Sequence, residues 1–471
     1  MVSHLGVNSE NGNLGEQVLH AENEVVVVEE DVSEKLEVSK SELDDEAGLD
    51  SKYSYLVMFG AFVNILAVFG CSNAFGIFQE YYLNTLFSDK PASDIAWIST
   101  ISISVSLAGG IMASPIMHRI GIRLTFVLGS LSASLGLILA SFSTGSIAAL
   151  TITQGLIFGF GSSLIINCSI FMPSLWFKKY RSWAIGIVSA GSGFGGLKYR
   201  SWAIGIVSAG SGFGGLVVGP ILENAIRNLG IKWAFRILCF MTLAITLTTS
   251  IIFKPRQPGF KPANKRLLNM KVFLHPYTLF LCFGGFFAEL GYAVLSLYFT
   301  ASMVAIGQSR STASNTILAF SAASGISRLL SGYFSNRFGP NTVLIFAMSA
   351  TSVLVFSMWL PFKNFVVYYV FFVLTGLLCS LFFPLGPVMI ANNYPLGEVS
   401  QVNGIMYVFY GLSTLIGNPS LGAMFDKIGH RESYSSLIIT CGVCFIASAM
   451  ILLLQLIYSR KYMPDLKTGR I

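Results

Sequence analysis

The sequence predicts an all-α integral membrane protein, with twelve transmembrane helices in two pseudo-symmetric six-helix bundles. Three observations predict it. The 471-residue chain is 53% hydrophobic and only 11% charged, with a mean hydropathy of +0.67, too little polar surface to clothe a soluble fold. Its apolar residues fall into runs of about 20, the length that crosses roughly 30 Å of hydrocarbon. The two halves on either side of a basic connector, KPRQPGFKPANKRLLNMKVFLHP over 254–276, repeat one design. MHRIGIR in the first half answers SNRFGPN in the second, and Gly219-Pro220 answers Gly417-Asn418-Pro419.

Residues 1–52 come first and are a different polymer. Of the 23 acidic residues, 14 lie in the first 50 positions, and such a segment buries too little apolar surface to fold alone. It reads as a disordered cytoplasmic tail. No basic n-region precedes an apolar h-region there, so the first span is expected to act as the insertion signal. With the tail set aside, the formal net charge of +7 understates a strongly basic body whose Lys and Arg fall between apolar runs. That placement points to membrane orientation and away from nucleic acid.

The spans follow in order near 55–78, 94–117, 124–144, 147–172, 201–225 and 233–254, forming a first bundle over 53–253. After the connector they fall near 277–304, 312–334, 341–361, 365–391, 400–424 and 434–458, a second bundle over 277–458, with a short tail at 459–471. Arg119, Arg123, Lys178, Lys179, Arg181, the connector cations, Arg337 and Arg460 collect on one set of loops. By the positive-inside rule both termini and the connector are cytoplasmic. The plasma membrane is the expected location, with the vacuolar membrane as the alternative.

One stretch breaks the pattern. KYRSWAIGIVSAGSGFGGL at 179–197 is followed at once by an identical 198–216. A solenoid unit diverges and recurs at least three times, whereas this is one verbatim copy. The halves give an independent check: Arg119 and Arg337 stand 218 positions apart, Pro220 and Pro419 stand 199 apart, and the difference of 19 is one copy. A thirteenth span would put Lys198 and Arg200 near the membrane, at about 2.5–3.5 kcal/mol each at its centre. It would also move the basic connector outside. The second copy is therefore expected to form the fifth span with VVGPILENAI, and the first, about 180–199, to be extruded on the cytoplasmic side.

Several chemistries are excluded. The five histidines lie outside the spans, and no HExxH or nucleophile-elbow motif occurs, so neither an intramembrane His relay nor hydrolase chemistry is expected. Cys441-Gly-Val-Cys444 has metal or redox spacing but sits in a span with no second pair and no nearby His; the seven cysteines read as small apolar core residues. Gly191, Gly193 and Gly196 match GxGxxG without the acid that a dinucleotide site needs about 20 positions later. Close helix packing through Gly191/Gly195, Gly210/Gly214 and the fourth-span Gly155, Gly159 and Gly161 is the better account. The chain is not expected to be an enzyme or to carry a cofactor or metal.

Charge inside a span usually faces a cavity or a partner, which singles out Glu289 in the seventh span and Arg328 in the eighth. Asn73, Asn167, Tyr292, Tyr298, Tyr407 and Tyr410 are further candidates for a substrate-binding cavity. Arg119, Gly121, Arg123, Arg337, Gly339, Gly219 and Pro220 are candidates for conformational gating, because turns and helix breaks absorb motion.

The loop motifs at 119–123 and 337–339 resemble those of the major facilitator superfamily, with His118 and Asn336 where that family has an acid. SNAFGIFQEYY (72–82), TQGLIFGFGSSL (153–164), SLWFKKYRSWAIGI (174–187), FAELGY (287–292), SGISRLLSGYFSNRFG (324–339) and GNPSLGAMFDKIG (417–429) resemble the fungal branch of the monocarboxylate transporter-like carriers over about 53–458. The resemblance implies two six-helix bundles around a central cavity. It also implies transport of small organic acids or, as in one fungal relative, riboflavin. Arg328 matches the eighth-span Arg that engages the substrate's anionic or polar group. Ser324 stands where animal members have Asp, Ser72 where they have a first-span Lys, and 50–55 lacks their DGGxGW entry motif, departures that argue against proton–monocarboxylate symport.

The expected function is secondary active or facilitative transport of a small organic solute, monocarboxylate-like or riboflavin, by alternating access of the two bundles. The expected partners are that solute, the lipid bilayer and, through Glu289, protons as coupling ion; the chain is expected to be a monomer. Efflux of a drug or secondary metabolite is the alternative, and a transport-inactive sensor with the same fold is a reading from another class.

Overall fold

The computed structural model describes residues 52–73, 75–176, 194–253, 270–430 and 433–462. The acidic tail, most of the first copy of the doubled stretch, residues 254–269 of the connector and the last nine residues lie outside the described residues. Every regular element described is helical.

The first half comprises α1 (Lys52–Asn73), α2 (Asp94–Ile120), α3 (Ile122–Phe142), α4 (Ile147–Trp176), α5 (Phe194–Leu229) and α6 (Ile231–Ile252). The second comprises α7 (Pro276–Ala305), α8 (Arg310–Phe338), α9 (Pro340–Trp359), α10 (Phe365–Asn393), α11 (Leu396–Lys427) and α12 (Ser435–Tyr462). Eleven of these are long and apolar enough to cross a membrane. The twelfth, α11, has the length, 32 residues, but carries Gln401, Asn403, Ser413, Thr414 and Asn418. It can be more polar because those residues are covered by other helices: Gln401, Asn403, Ser413 and Thr414 are all buried.

The first predicted span, 55–78, is not one helix. α1 ends at Asn73, a short helix follows at Phe75–Tyr81, and a π turn at Tyr82–Leu86 leads out of it. In the second span a 3₁₀ turn at Gly109–Met112 joins two α-helical pieces. Composition locates the apolar run but carries little information on such local rewinding.

The two-half symmetry appears in the backbone. The helical starts Ala92, Ile122 and Ile147 are matched by Arg310, Pro340 and Phe365, each pair 218 positions apart. The turns match as well. Gly121 (φ 83°) donates its N–H to Met117 O at 2.9 Å, and Gly339 (φ 85°) donates to Ser335 O at 2.9 Å. Both sit in a backbone region where a Cβ is strained. After the doubled stretch, one helix, α5, runs unbroken from Phe194 through the second copy and on through VVGPILENAI to Leu229.

Packing inverts the soluble-protein pattern, as a bilayer demands. Phe59, Leu124, Phe142, Phe346, Val366 and Met450 are exposed, while many serine and threonine side chains are buried, several with the hydroxyl bonded back to its own helix, as with Ser130 Oγ to Phe126 O at 2.9 Å. With lipid as apolar as leucine, helices associate through close backbone approach. A Cβ at Gly214 would lie 2.6 Å from Leu66 O of α1, and one at Gly159 would lie 3.0 Å from Ser102 O of α2. Within each half α1 packs on α5 and α3 on α6, matched by α7 on α11 and α9 on α12. The halves meet through α5 against α8 and α2 against α11.

Candidate substrate cavity

Between the halves lies a cavity of about 240 Å³. Its lining comes from α1, α2, α5, α7, α8, α10 and α11, drawn from the middle of the helices and from the end remote from the connector. Toward the connector the halves are in contact. A Cβ at Gly212 of α5 would lie 2.5 Å from Gly325 N of α8, and one at Gly404 of α11 would lie 2.8 Å from Ile111 Cα of α2. Ser400 Oγ donates to Asn167 Oδ1 at 2.9 Å, and Asn167 Nδ2 donates to Gly110 O at 3.2 Å, tying α11, α4 and α2 together. The cavity is therefore closed on the connector side.

Glu289 and Arg328 both line it and are 6% and 4% exposed. Arg328 Nη1 donates to Ser211 Oγ and, at 3.4 Å, to Ser208 O, both on α5 across the interface. Its guanidinium lies 4.4 Å from the centroid of the Phe383 ring, a favourable cation–π arrangement in a desolvated site. Thr414 Oγ1 of α11 donates to Glu289 Oε1 at 3.4 Å. Glu289 Oε2 and Arg328 Nε have no hydrogen-bond partner. The charges stand on one wall, α7 and α8, and the opposite half supplies hydroxyls and rings: Ser72, Ser99, Ser106, Phe69 and Phe75.

Of the residues singled out from sequence, Arg328, Glu289 and Tyr292 are brought together here. Tyr292 packs edge-on to Phe383 at 5.3 Å and against Phe320 at 5.9 Å. Four others lie elsewhere. Asn167 belongs to the closure contact just described. Tyr298 packs on Phe425 at 5.7 Å, near the far end of α7. Tyr407 and Tyr410 are buried 5.4 Å apart behind the lining, with Tyr410 against Phe382 at 5.4 Å. The aromatic residues of a polar-looking helix were expected in the cavity, but their rings fill volume behind it. The side chain of Asn73 lies outside the described residues.

The sequence did not single out Ser211, Phe383, Thr414 or Asn418 as cavity residues. No composition signal marks them, since Ser, Phe and Thr are abundant on packed faces. Ser211 could have been found only by knowing that α5 meets α8.

The residues singled out for gating divide by position. Arg119, Arg123 and Arg337 are exposed at the connector end, and Arg337 Nη1 donates to Tyr333 OH at 3.3 Å. Gly121 and Gly339 form the matched turns. Gly219 is not a close-contact glycine, because an added Cβ would meet only Ile77 Cδ1, at 3.9 Å. Pro220 lies inside the continuous helix α5, and Asn224 Nδ2 donates to its carbonyl at 3.0 Å. All seven cysteines are free and buried.

A family description, Major Facilitator Superfamily, matches residues 281–467. Among characterised proteins, the chain is 28% identical over 406 residues to the MFS transporter asaE of Aspergillus flavus, covering 84% of this chain and 87% of that one. It is 28% identical to the agnestins efflux protein AgnL12 of Paecilomyces divaricatus (84% and 86%). It is 25% identical to the riboflavin transporter MCH5 of Saccharomyces cerevisiae (90% and 82%). Among solved structures, a double-Trp XylE mutant superposes with a TM-score of 0.68 at 14% identity, covering 88% of this chain and 96% of that one. FucP in the outward conformation gives 0.63 at 13% identity (85% and 99%). Two matched halves of six helices, a cavity between them and likeness over most of the chain to fungal carriers lead to one conclusion: this chain is similar, in sequence and in fold, to membrane transporters of the major facilitator superfamily.

Proposed function

We propose that the chain carries a small, polar or anionic organic solute across a fungal membrane by alternating access, with Arg328, Glu289 and Tyr292 as the substrate-facing residues. The observation that carries this reading is a buried guanidinium and a buried carboxyl, each with one polar atom lacking a hydrogen-bond partner, on the wall of one cavity between two pseudo-symmetric halves. Burying an ion in a bilayer costs several kcal/mol, a cost that persists only where function or compensation supports it. Contact of the halves at the connector end supports a state that takes solute from the opposite side. The cytoplasmic assignment of the connector and both termini rests on the distribution of Lys and Arg, and the plasma membrane is the location proposed, the vacuolar membrane the alternative.

Glu289 is the buried carboxyl among the described residues, which makes it the group proposed to carry a coupling proton. Gating is proposed at the matched turns of Gly121 and Gly339 with their neighbours Arg119, Arg123 and Arg337, and at Gly219-Pro220 within α5. Efflux of a secondary metabolite is the second reading, favoured by the efflux protein among the relatives.

The test is uptake of riboflavin, with lactate and pyruvate as comparators, in yeast lacking its own carriers. Saturable uptake that follows an imposed inward proton gradient, with the gradient response lost in Glu289→Gln, is the expected result. Correctly localised protein that lowers accumulation of a loaded solute would favour efflux, and movement of none of the three would remove these substrates.

A further inference from the structure

Thr414 of α11 is 3% exposed and lies in the cavity wall. Its hydroxyl has two acceptors within reach: Glu289 Oε1 of α7 at 3.4 Å and, one turn back on its own helix, Tyr410 O at 3.2 Å. A hydroxyl has one hydrogen to give and lone pairs with which to accept. Only one of the two contacts holds that hydrogen at a time.

The two acceptors differ in kind. Tyr410 O is a carbonyl and accepts at any pH, whereas a glutamate oxygen accepts as a carboxylate and donates as a carboxylic acid. Bonding back to the carbonyl four residues earlier is ordinary for Ser and Thr in helices, as at Ser130. At Thr414 it leaves the hydroxyl lone pairs free for a group that gains and loses a hydrogen. The other carboxyl oxygen, Glu289 Oε2, has no hydrogen-bond partner. A proton placed there would be a buried donor without an acceptor, a costly arrangement. A proton on Oε1 has Thr414 Oγ1 to receive it.

The titratable groups around the carboxyl are Tyr292 of α7, Arg328 of α8, Cys379 of α10, and Tyr407 and Tyr410 of α11. Phenols and thiols are uncharged at neutral pH, so Arg328 is the fixed charge of the set, and its own bonds run to α5. The hydrogen-bond partner of Glu289 is Thr414.

We propose that Thr414 is a positioning residue for the coupling proton, a two-way partner that keeps Glu289 hydrogen-bonded whether ionised or protonated. This rests on reading Glu289 as the proton carrier. With Glu289 ionised, the Thr414 hydroxyl donates to Oε1. When a proton from solvent adds to Oε1, the new O–H donates to Thr414 Oγ1, and the threonine hydrogen swings to Tyr410 O. No covalent bond of Thr414 breaks, and the proton taken up stays on Glu289. Release reverses the swing, so the carrier loads and unloads in a desolvated wall without an orphaned hydroxyl.

The test uses the full chain in liposomes and infrared difference spectra between buffers of stepped pH, with protons as the only ligand. The carboxylic C=O band that Glu289→Gln abolishes reports protonated Glu289, and its growth as pH falls reports the titration. Thr414→Val keeps the shape of the side chain without the hydroxyl, and Thr414→Ser keeps the hydroxyl. Hydrogen bonds to an ionised group are roughly twice as strong as neutral ones, so losing the hydroxyl penalises the carboxylate more than the acid. In Thr414→Val the midpoint is expected to rise by about one pH unit. The band is expected to change frequency, because the acid O–H has lost its acceptor. Thr414→Ser is expected to restore both, and Thr414→Ala, which lacks both hydroxyl and β-branch, is held to the same two readings as Thr414→Val.

A Thr414→Val protein with an undisturbed melting transition and the parent's midpoint and band would overturn the proposal. A raised midpoint with an unmoved band would overturn it as well, since the hydroxyl would then serve the ionised state alone. If Glu289→Gln removes no carboxylic band, the proton-carrier reading fails and the proposal with it. A Glu289 band that titrates but is indifferent to position 414 defeats the proposal alone.

Discussion

Arg328 holds three elements together at one point: it stands on α8, bonds to α5 and lies over Phe383 of α10. Replacing it with Ala removes the charge, the bonds across the interface and the stacked contact. A hydrogen bond to a charged group contributes about 1.5–3 kcal/mol, so substrate affinity should fall by roughly tenfold or more. Arg328→Lys keeps the charge but not the planar fork that faces a ring; it should reach the membrane normally and recover only part of the uptake. Full recovery in Lys would mean that charge alone matters. The sequence exposed Arg328 and Glu289 because ions inside apolar runs are rare and costly. It misplaced Tyr407 and Tyr410 because a tyrosine in a span has no such signature: its ring is as useful behind a cavity wall as on it.

Among the helices, α5 has two kinds of glycine that the sequence cannot tell apart. Gly214 packs against Leu66 and Gly70 of α1, inside one half, whereas Gly212 packs against Gly325 of α8, across the interface. A methyl added at Gly214 overpacks a contact internal to one half, at a cost of about 1–3 kcal/mol. Gly214→Ala should therefore lower the melting temperature and surface level. Gly212→Val should instead leave folding nearly intact and oppose closure at the connector end. Cysteines introduced near that end should then label faster with membrane-impermeant thiol reagents in inside-out vesicles than in the parent. Equal labelling with lowered stability would show that the α5–α8 contact is fixed. The polar character of α11 has the same origin as this distinction, since Gln401, Asn403, Ser413 and Thr414 are buried while Leu412, Leu415 and Ile416 are among its exposed residues.

At the scale of the whole molecule the verbatim doubling is the outstanding feature. Helix α5 continues through the second copy, and three pairs of helix starts keep a spacing of 218 up to the doubling. The halves therefore keep their register with about one copy of chain added between α4 and α5. Deleting 198–216 joins the first copy directly to VVGPILENAI and restores an unbroken single-copy sequence. The single-copy chain is expected to match or exceed the doubled chain in surface level and uptake, because about 20 added residues cost only modest chain entropy but burden insertion. Higher uptake from the doubled chain at equal surface level would show that the extra copy contributes to function.

The sequence by itself determined the membrane class, the number and order of spans, the two-half repeat, the register of the doubling and the two intramembrane charges. Each rests on a cost that the bilayer imposes residue by residue: desolvation of ions, length of apolar runs, and the sign of charge between them. The tertiary structure alone decided which glycines pack across the interface, which tyrosines line the cavity, that Ser211 and Thr414 bond the two charges, and which end is closed. Those outcomes depend on which helix faces which across the interface. In a bilayer nearly every helix face is apolar, so the hydrophobic pattern that orients a helix in water is too weak to say.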